Sequence, residues 1–250
     1  MGVSISRLDL GFFESLPLHT RRCVFWEVDP AVSGHTFESE FDKEAWISGL
    51  LLDWGTCGQV AIETSTQSVV GTAFYAPPNR VPRSRSFPTS PVSHDAVLLS
   101  SIRTEPGHEE IAGVLLDAVL GDLIRRGVRA VESFGLVRAG DAGFGDISTW
   151  TDESIVEVAR EILDGPQSDL CTKCMIDAAF LKDSAFDVVS SHPRFPRFRL
   201  ELDEGLSWKF EVESALEKLV VMAALDLTGA ERAAVPVGCS THRTVTGSHR

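Results

Sequence analysis

Apolar residues recur at helical spacing in two long stretches of the chain. The first stretch covers residues 38–54, ends before Gly55 and carries the stripe Phe41, Ala45, Trp46, Leu50 and Trp54. The second runs from Ile111 to Arg126 and is followed by Gly127. Apolar residues three and four positions apart share one helix face, and a glycine directly after such a run is a common helix end. Both stretches are therefore predicted to be amphipathic helices.

Other stretches show the β-branched and aromatic pattern of buried strands. They are Ile5 to Asp9, 59–64, 69–76, 95–103, 128–135, 186–192 and 198–202, with a short helix at 176–184 before the last two. The polar residues 65–68 separate two of them at the spacing of a hairpin. The order strand, loop, helix, strand over 95–135 predicts a βαβ unit with two parallel strands. We therefore predict an α/β protein with a mixed central sheet flanked by helices.

The remaining segments decorate this core. Residues 77–93 contain five prolines and three arginines (Arg80, Arg83 and Arg85), which predicts an irregular basic loop. A Gly-rich start followed by a helical pattern predicts an insertion at about 137–172. Residues 211–228 carry a late amphipathic helix, and the small and polar residues 229–250 are typical of a disordered tail. The expected organisation is one domain over 1–210, then the helix and the tail.

Composition excludes some classes of function. The formal net charge is −13 at pH 7, which argues against a nucleic-acid partner because phosphates are gripped by clustered Lys and Arg. The chain shows neither a secretory leader nor an apolar run long enough to span a bilayer, so we expect a cytoplasmic protein without a membrane partner. Five cysteines are an odd number in a chain of this length and favour reduced thiols.

The strand at 95–103, the loop and helix at 104–127, the strand at 128–135 and the segment 178–189 together resemble the GNAT superfamily of N-acetyltransferases. The resemblance covers roughly Arg7 to Leu202, and phrases such as RRCVFWEVDP and HPRFPRFRLEL look like a bacterial branch of it. It implies the GNAT fold and transfer of an acyl group from acetyl-CoA to an amine. The expected partners are thus acyl-CoA and a small amine or a protein lysine.

In this superfamily a loop at a helix N-terminus holds the diphosphate of acetyl-CoA through backbone N–H groups. The resemblance places this acetyl-CoA site on Ser100, Ser101, Ile102, Gly107, His108, Glu110, Ile111, Ala112 and Gly113. The key positions of the loop motif fall on Gly107, Glu110 and Ala112, so that only the small last residue is kept. A glutamate replaces a glycine, and carboxylates at 105, 109 and 110 surround the expected diphosphate position.

Two residues are candidates for the catalytic base. Glu132 lies on the second parallel strand, and His94 stands at the start of the first. Relatives commonly use a tyrosine near the last short helix as the acid, but the single tyrosine here, Tyr75, lies upstream. Cys174 and Ser184 are the polar residues near the expected acid position.

The altered loop and the missing tyrosine leave a second hypothesis open. The chain could be a catalytically silent GNAT-like scaffold that binds a protein partner or another ligand. A third possibility is a homodimer formed through the late helix.

The cysteine pattern leaves a further alternative. Cys171 and Cys174 form a CxxC motif, and Cys239 and His242 form a CxxH motif. Together the two motifs could supply four zinc ligands. Their long separation matches no compact zinc module, so the expectation is ordinary thiols and no metal.

Overall fold

An eight-stranded sheet forms the core of the protein. The computed structural model describes residues 2–29, 38–138 and 170–202. Its strands are β1 (Val3–Arg7), β2 (Gly58–Glu63), β3 (Val69–Ala76), β4 (Ala96–Thr104), β5 (Ala130–Leu136), β6 (Ile176–Asp177), β7 (Asp187–Ser190) and β8 (Arg197–Glu201). Their spatial order is β1-β2-β3-β4-β5-β8-β7, and β6 pairs with β5 beside this path.

The strands pair in both senses. Neighbours from β1 to β4 are antiparallel, β4 and β5 are parallel, and β8 returns antiparallel to both β5 and β7. Only the β4–β5 connection needs a crossover helix, and the chain supplies it between them. The prediction of a mixed α/β sheet with one βαβ unit is confirmed.

Four α-helices accompany the sheet in the described ranges. They are α1 (Leu18–Arg22), α2 (Glu40–Asp53), α3 (Ile111–Arg125) and α4 (Ala178–Asp183). The side chain of Ser39 accepts a hydrogen bond from the amide of Asp42 and so caps α2, while Gly55 after the helix has φ +82°. Helix α3 buries Leu115, Val119 and Leu123 completely and therefore covers the sheet as the apolar spacing predicts.

The predicted stripe of α2 is partly wrong. Phe41 is 79% exposed, whereas Lys43 is 4% exposed on the buried face. The ammonium of Lys43 forms an ion pair with buried Glu27 and lies 4.3 Å from the centroid of the Phe74 ring. Because a paired lysine can take a core position, the helix turns its apolar Phe41 outward.

The first strand begins earlier than predicted. β1 covers Val3–Arg7 rather than Ile5 to Asp9. The strand ends before Asp9 because the side chain of Asp9 accepts a hydrogen bond from the amide of Gly11 at 2.8 Å and starts a 3₁₀ turn.

The proline-rich loop is less irregular and less basic than predicted. It contains 3₁₀ turns at Pro78–Arg80 and Pro82–Ser86. Arg83 is buried with its guanidinium 4.7 Å from the centroid of the Phe25 ring, and Arg80 is paired with Asp53. Of the three arginines only Arg85 is exposed without such packing.

The insertion helix within 137–172, the helix at 211–228 and the tail at 229–250 lie largely or wholly outside the described residues and stay predictions. Among the described helices, none has the length and apolar character needed to cross a membrane.

Candidate functional site

The parallel strands β4 and β5 separate part-way along their length. They pair at Ala96↔Ala130, Val97↔Val131 and Leu98↔Glu132, and pairing stops there. β4 continues to Thr104 along β3, while the end of β5 pairs with β6 at Gly135. The carboxyl ends of the two strands therefore diverge and leave an opening in the sheet.

A cleft of about 780 Å³ occupies this opening. Its lining comes from the end of β4 and the following loop (102–106, 109 and 112), from α1 (17–19), and from residues 138, 172–173, 175–177 and 180. Ligand sites in open α/β sheets are found outside the carboxyl ends of the strands, which is the location of this cleft.

The loop between β4 and α3 turns at Gly107. This residue has φ +87°, a left-handed conformation that favours glycine, and its amide donates to Oε1 of Glu109 at 3.0 Å. The hydrogen bond from Gly107 lowers the pKa of Glu109, which keeps the carboxylate charged. A negative charge thus covers one of the loop amides.

Three further amides of the loop and of the helix start are also bonded within the turn. His108 donates to the carbonyl of Glu105 at 3.1 Å, Ile111 to that of His108 at 3.1 Å, and Ala112 to that of Glu109 at 3.3 Å. The loop is therefore a closed double turn rather than a row of free donors.

The structure places two of the nine predicted acetyl-CoA residues on the cleft, Ile102 and Ala112. Ser100 and Ser101 are buried, and the hydroxyl of Ser100 donates to the carbonyl of Phe74 at 3.1 Å. The remaining five lie outside the cleft lining, at Gly107, His108, Glu110, Ile111 and Gly113. Glu110, the glutamate that replaces a glycine of the loop motif, is exposed at the helix start, and the loop acids that reach the cleft are Glu105 and Glu109.

Sequence reasoning missed three cations on the cleft, Arg103, Lys173 and Arg138, of which Arg138 is paired with Asp177 at 2.7 Å. Arg103 lies on β4 and Lys173 follows Thr172; within the described ranges neither has a carboxylate in ion-pair distance. Nε of Arg103 is buried without a hydrogen-bond partner, while its Nη1 donates to the carbonyl of Lys173 at 3.0 Å. The signal that could have found Arg103 is its position at the end of the central strand.

Glu132 lies at the paired end of the two strands and is completely buried. Its carboxylate accepts from the amide of Ser93 at 3.2 Å, from Arg199 at 3.0 Å and from Arg197. Arg199 also forms an ion pair with Asp95 at 3.0 Å. Burial raises the pKa of Glu132, but the hydrogen bonds from Ser93, Arg197 and Arg199 outweigh it and hold the pKa below its ordinary value. The role of Glu132 as a catalytic base stays a prediction. Its carboxylate already accepts hydrogen bonds from Ser93, Arg197 and Arg199.

His94 is exposed in the turn before β4. The cleft residue Ile102 lies eight positions further on, about 26 Å along an extended strand. The structure therefore brings neither His94 nor Glu132 to the cleft.

Tyr75 is also remote from the cleft. Its hydroxyl is buried and donates to Oδ2 of Asp122 at 2.9 Å, while Gln59 donates to it at 3.0 Å. Burial raises the pKa of Tyr75. Tyr75 therefore belongs to a buried hydrogen-bond network with Asp122 of α3. Since it is the single tyrosine of the chain, the cleft has no tyrosine.

Cys171 and Cys174 have neighbours that the sequence interpretation did not pair with them. Both lie beside His19 and Cys23, and the four ligand atoms are within 4.8 Å of one another. Cys239 and His242, the partners weighed from the sequence, lie outside the described residues. The spacing signal was available, since His19 and Cys23 are four positions apart on one helical turn.

Comparison with known proteins gives similarity in fold. Similar solved structures include an N-acetyltransferase from Staphylococcus aureus (12% identity, 81% of this chain, 100% of that chain, TM-score 0.45). A phosphinothricin acetyltransferase from Sinorhizobium meliloti with acetyl-CoA is 16% identical over 82% of this chain and 90% of that chain, with a TM-score of 0.46. The PaiA N-acetyltransferase from Thermoplasma acidophilum with coenzyme A is 12% identical over 80% of this chain and 99% of that chain, with a TM-score of 0.41. Neither a protein family nor a curated protein matches the sequence.

Proposed function

We propose that this chain is an acyl-CoA-dependent N-acetyltransferase that holds acetyl-CoA in the cleft between β4 and β5. The observation that carries the proposal is the separation of the two parallel strands after Leu98 and Glu132. Beyond this point β4 has no strand partner on its β5 side among the described residues. An extended ligand with amide groups, such as the pantetheine arm, can hydrogen-bond to such a free strand edge.

The phosphates of acetyl-CoA are assigned to side chains rather than to the loop alone. Because most loop amides already have acceptors, the positive charge at the cleft comes mainly from Arg103 and Lys173. A guanidinium with an unused buried donor is well suited to a phosphate oxygen. The start of α3 adds the favourable end of a helix dipole.

The acceptor is an amine. Glu105, Glu109 and Asp177 put carboxylates on the cleft, and the whole chain is acidic, with a net charge of −13. Complementary charge speeds the encounter with a cationic substrate, either a small amine or a protein lysine. Deprotonation of the amine requires a base within hydrogen-bond reach, directly or through one water.

The first experiment is calorimetric titration of acetyl-CoA into the wild-type protein and into two variants of α3. Ala112→Phe puts a ring into the cleft, whereas Val114→Phe introduces the same ring at a site that is 51% exposed and outside the lining. We expect binding by wild type and Val114→Phe, and loss of binding by Ala112→Phe.

A second measurement follows the reaction itself. Release of the free CoA thiol is recorded while candidate amines are added to wild type, Ala112→Phe and Val114→Phe. Amine-dependent release in wild type and Val114→Phe alone supports the proposal. Absence of acetyl-CoA binding in wild type would contradict it and favour the silent scaffold.

A further inference from the structure

We propose that His19, Cys23, Cys171 and Cys174 bind one structural zinc ion. The four side chains come from two distant parts of the chain: Cys23 and Cys171 are 148 positions apart. Their ligand atoms nevertheless converge within 4.8 Å of one another. This site is independent of whether the neighbouring cleft binds acyl-CoA.

Four of the six separations between the ligand atoms are near those of a tetrahedral zinc site, and all six are within 4.8 Å. Sγ of Cys23 lies 3.7 Å from Sγ of Cys171 and 3.3 Å from Sγ of Cys174, and Nε2 of His19 lies 3.3 Å from Cys174 and 3.4 Å from Cys171. Zn–S and Zn–N bonds of about 2.3 and 2.0 Å require edges of about 3.8 Å between sulfurs and about 3.5 Å between sulfur and nitrogen. The observed contacts lie close to these values.

The ligand types select zinc. Three thiolates and one imidazole form a Cys₃His set, which is a common structural zinc site, and soft thiolates disfavour Mg²⁺ and Ca²⁺. The chain fills all four positions, so none is left for a substrate or a reactive water. A disulfide would use two of the three sulfurs and leave the third sulfur and the imidazole without a role, and its S–S distance of about 2.05 Å is much shorter than the contacts seen.

The backbone holds both ligand pairs in place. The amide of Cys23 donates to the carbonyl of His19 at 2.8 Å, and the amide of Cys174 donates to that of Cys171 at 3.0 Å. The indole N–H of Trp26 donates to the carbonyl of Cys174 at 3.1 Å. Partners of this kind orient zinc ligands and are part of most metal sites.

The position of the site explains what an ion would stabilise. In one ligand pair, His19 lies on α1 and Cys23 is its C-terminal cap; the other pair belongs to the turn that leads into β6 and α4. His19 and Lys173 also line the cleft. The zinc ion therefore connects two elements that the sheet itself does not pair, and closing so long a loop restricts the unfolded chain strongly.

The test is metal analysis of protein purified without added metal and with its affinity tag removed. Mass spectrometry of the metal content should find one zinc ion per chain in the wild type. Cys174→Ser and His19→Ala should lose the ion. Cys239→Ser, His242→Ala and Cys57→Ala should keep it, since the first two test the alternative pairing and Cys57 is a buried cysteine outside the cluster.

Two further measurements separate loss of zinc from failure to fold. A strong chelator added to the folded wild type should lower its melting temperature by about 10 °C, and zinc should restore it. Cobalt(II) added to the zinc-free wild type should give the thiolate charge-transfer and visible bands of a tetrahedral site. Trp26→Phe, which keeps an aromatic ring in the core, should weaken zinc binding about tenfold.

Three results would overturn the proposal. They are a reduced wild type that binds no zinc when the metal is supplied, loss of zinc in Cys239→Ser with retention in Cys174→Ser, and a disulfide between any two of the three cluster cysteines in the freshly isolated protein.

Discussion

The two ends of the β4–β5 pair differ in how their charged groups are satisfied. At the paired end, the buried carboxylate of Glu132 is enclosed by Arg197, Arg199 and a backbone amide. At the diverging end, Arg103 keeps a buried donor without a partner among the described residues, and none of these residues brings a carboxylate within ion-pair distance of Lys173. Saturated charges stabilise a fold, whereas unsatisfied ones at a cleft are available to a ligand.

The comparison separates the predicted base Glu132 from the cleft. Glu132 belongs to the last residue pair between β4 and β5, whereas Ile102 lies on β4 beyond that pair. Of these two residues, Ile102 lines the cleft. The following predictions test this division.

The largest effect is expected from Glu132→Ala. Removal of one partner from a buried ion pair leaves two arginines uncompensated, so the free energy of unfolding should fall by about 3–5 kcal/mol. Urea denaturation measures this, with His94→Ala, an exposed change at the same end, as the control that should lose less than about 0.5 kcal/mol. If Glu132→Ala instead kept its stability and lost acetyl transfer, Glu132 would be the base and the division would fail.

A pH titration of stability sharpens the same point. The pKa of Glu132 is lowered in the folded state, so its contribution is present above the unfolded value of about 4.3 and is lost as the pH falls through the folded pKa. Asp95 acts in the same direction, since its hydrogen bond from Arg199 lowers its pKa. Urea unfolding between pH 7 and pH 3 should therefore show a smaller loss in Glu132→Gln than in wild type. Equal losses would mean that Glu132 is not paired in solution.

At the diverging end, Arg103→Ala should weaken acetyl-CoA binding about tenfold. The removed guanidinium is the cleft cation with an unused buried donor, and a charge-assisted hydrogen bond is worth about 1.5–3 kcal/mol. Calorimetry against wild type measures the change, and Arg85→Ala, an exposed arginine outside the cleft lining, is the matched control. A tenfold loss in both variants would point to general electrostatics rather than to the cleft.

The smallest effect concerns the loop acids. Glu109→Gln removes a charge that lines the cleft, so acetyl-CoA affinity should rise about threefold at low salt and less at high salt. Glu110→Gln removes an equal charge one position away, outside the lining, and should change the affinity less. A larger gain in Glu110→Gln would restore the sequence-based view that position 110 obstructs the diphosphate.

Local patterns predicted most of the described secondary structure. The hairpin at 59–76 and the βαβ unit at 95–135 were found as expected, because their apolar spacing, glycines and prolines act over a few residues. The outward position of Phe41 was not predicted. It depends on Glu27, a distant residue that neutralises Lys43 within the core.

The candidate sites were predicted less well for the same reason. Ile102 and Ala112, two of the predicted acetyl-CoA residues, line the cleft, since the loop that follows a central strand is a local signal. Arg103 and Lys173 were missed, because their neighbourhood arises only when the turn after Cys171 packs against the end of β4.

The sequence by itself determined the α/β class, the parallel strand pair and the position of the loop at the start of α3. The tertiary structure alone decided where that pair separates, which acids face the cleft and which residues join Cys171 and Cys174. Helix and strand periods are properties of neighbouring residues, whereas saturation of a charge or convergence of metal ligands depends on side chains from distant parts of the chain. Glu132 and Arg197 are 65 positions apart, and Cys23 and Cys171 are 148 apart.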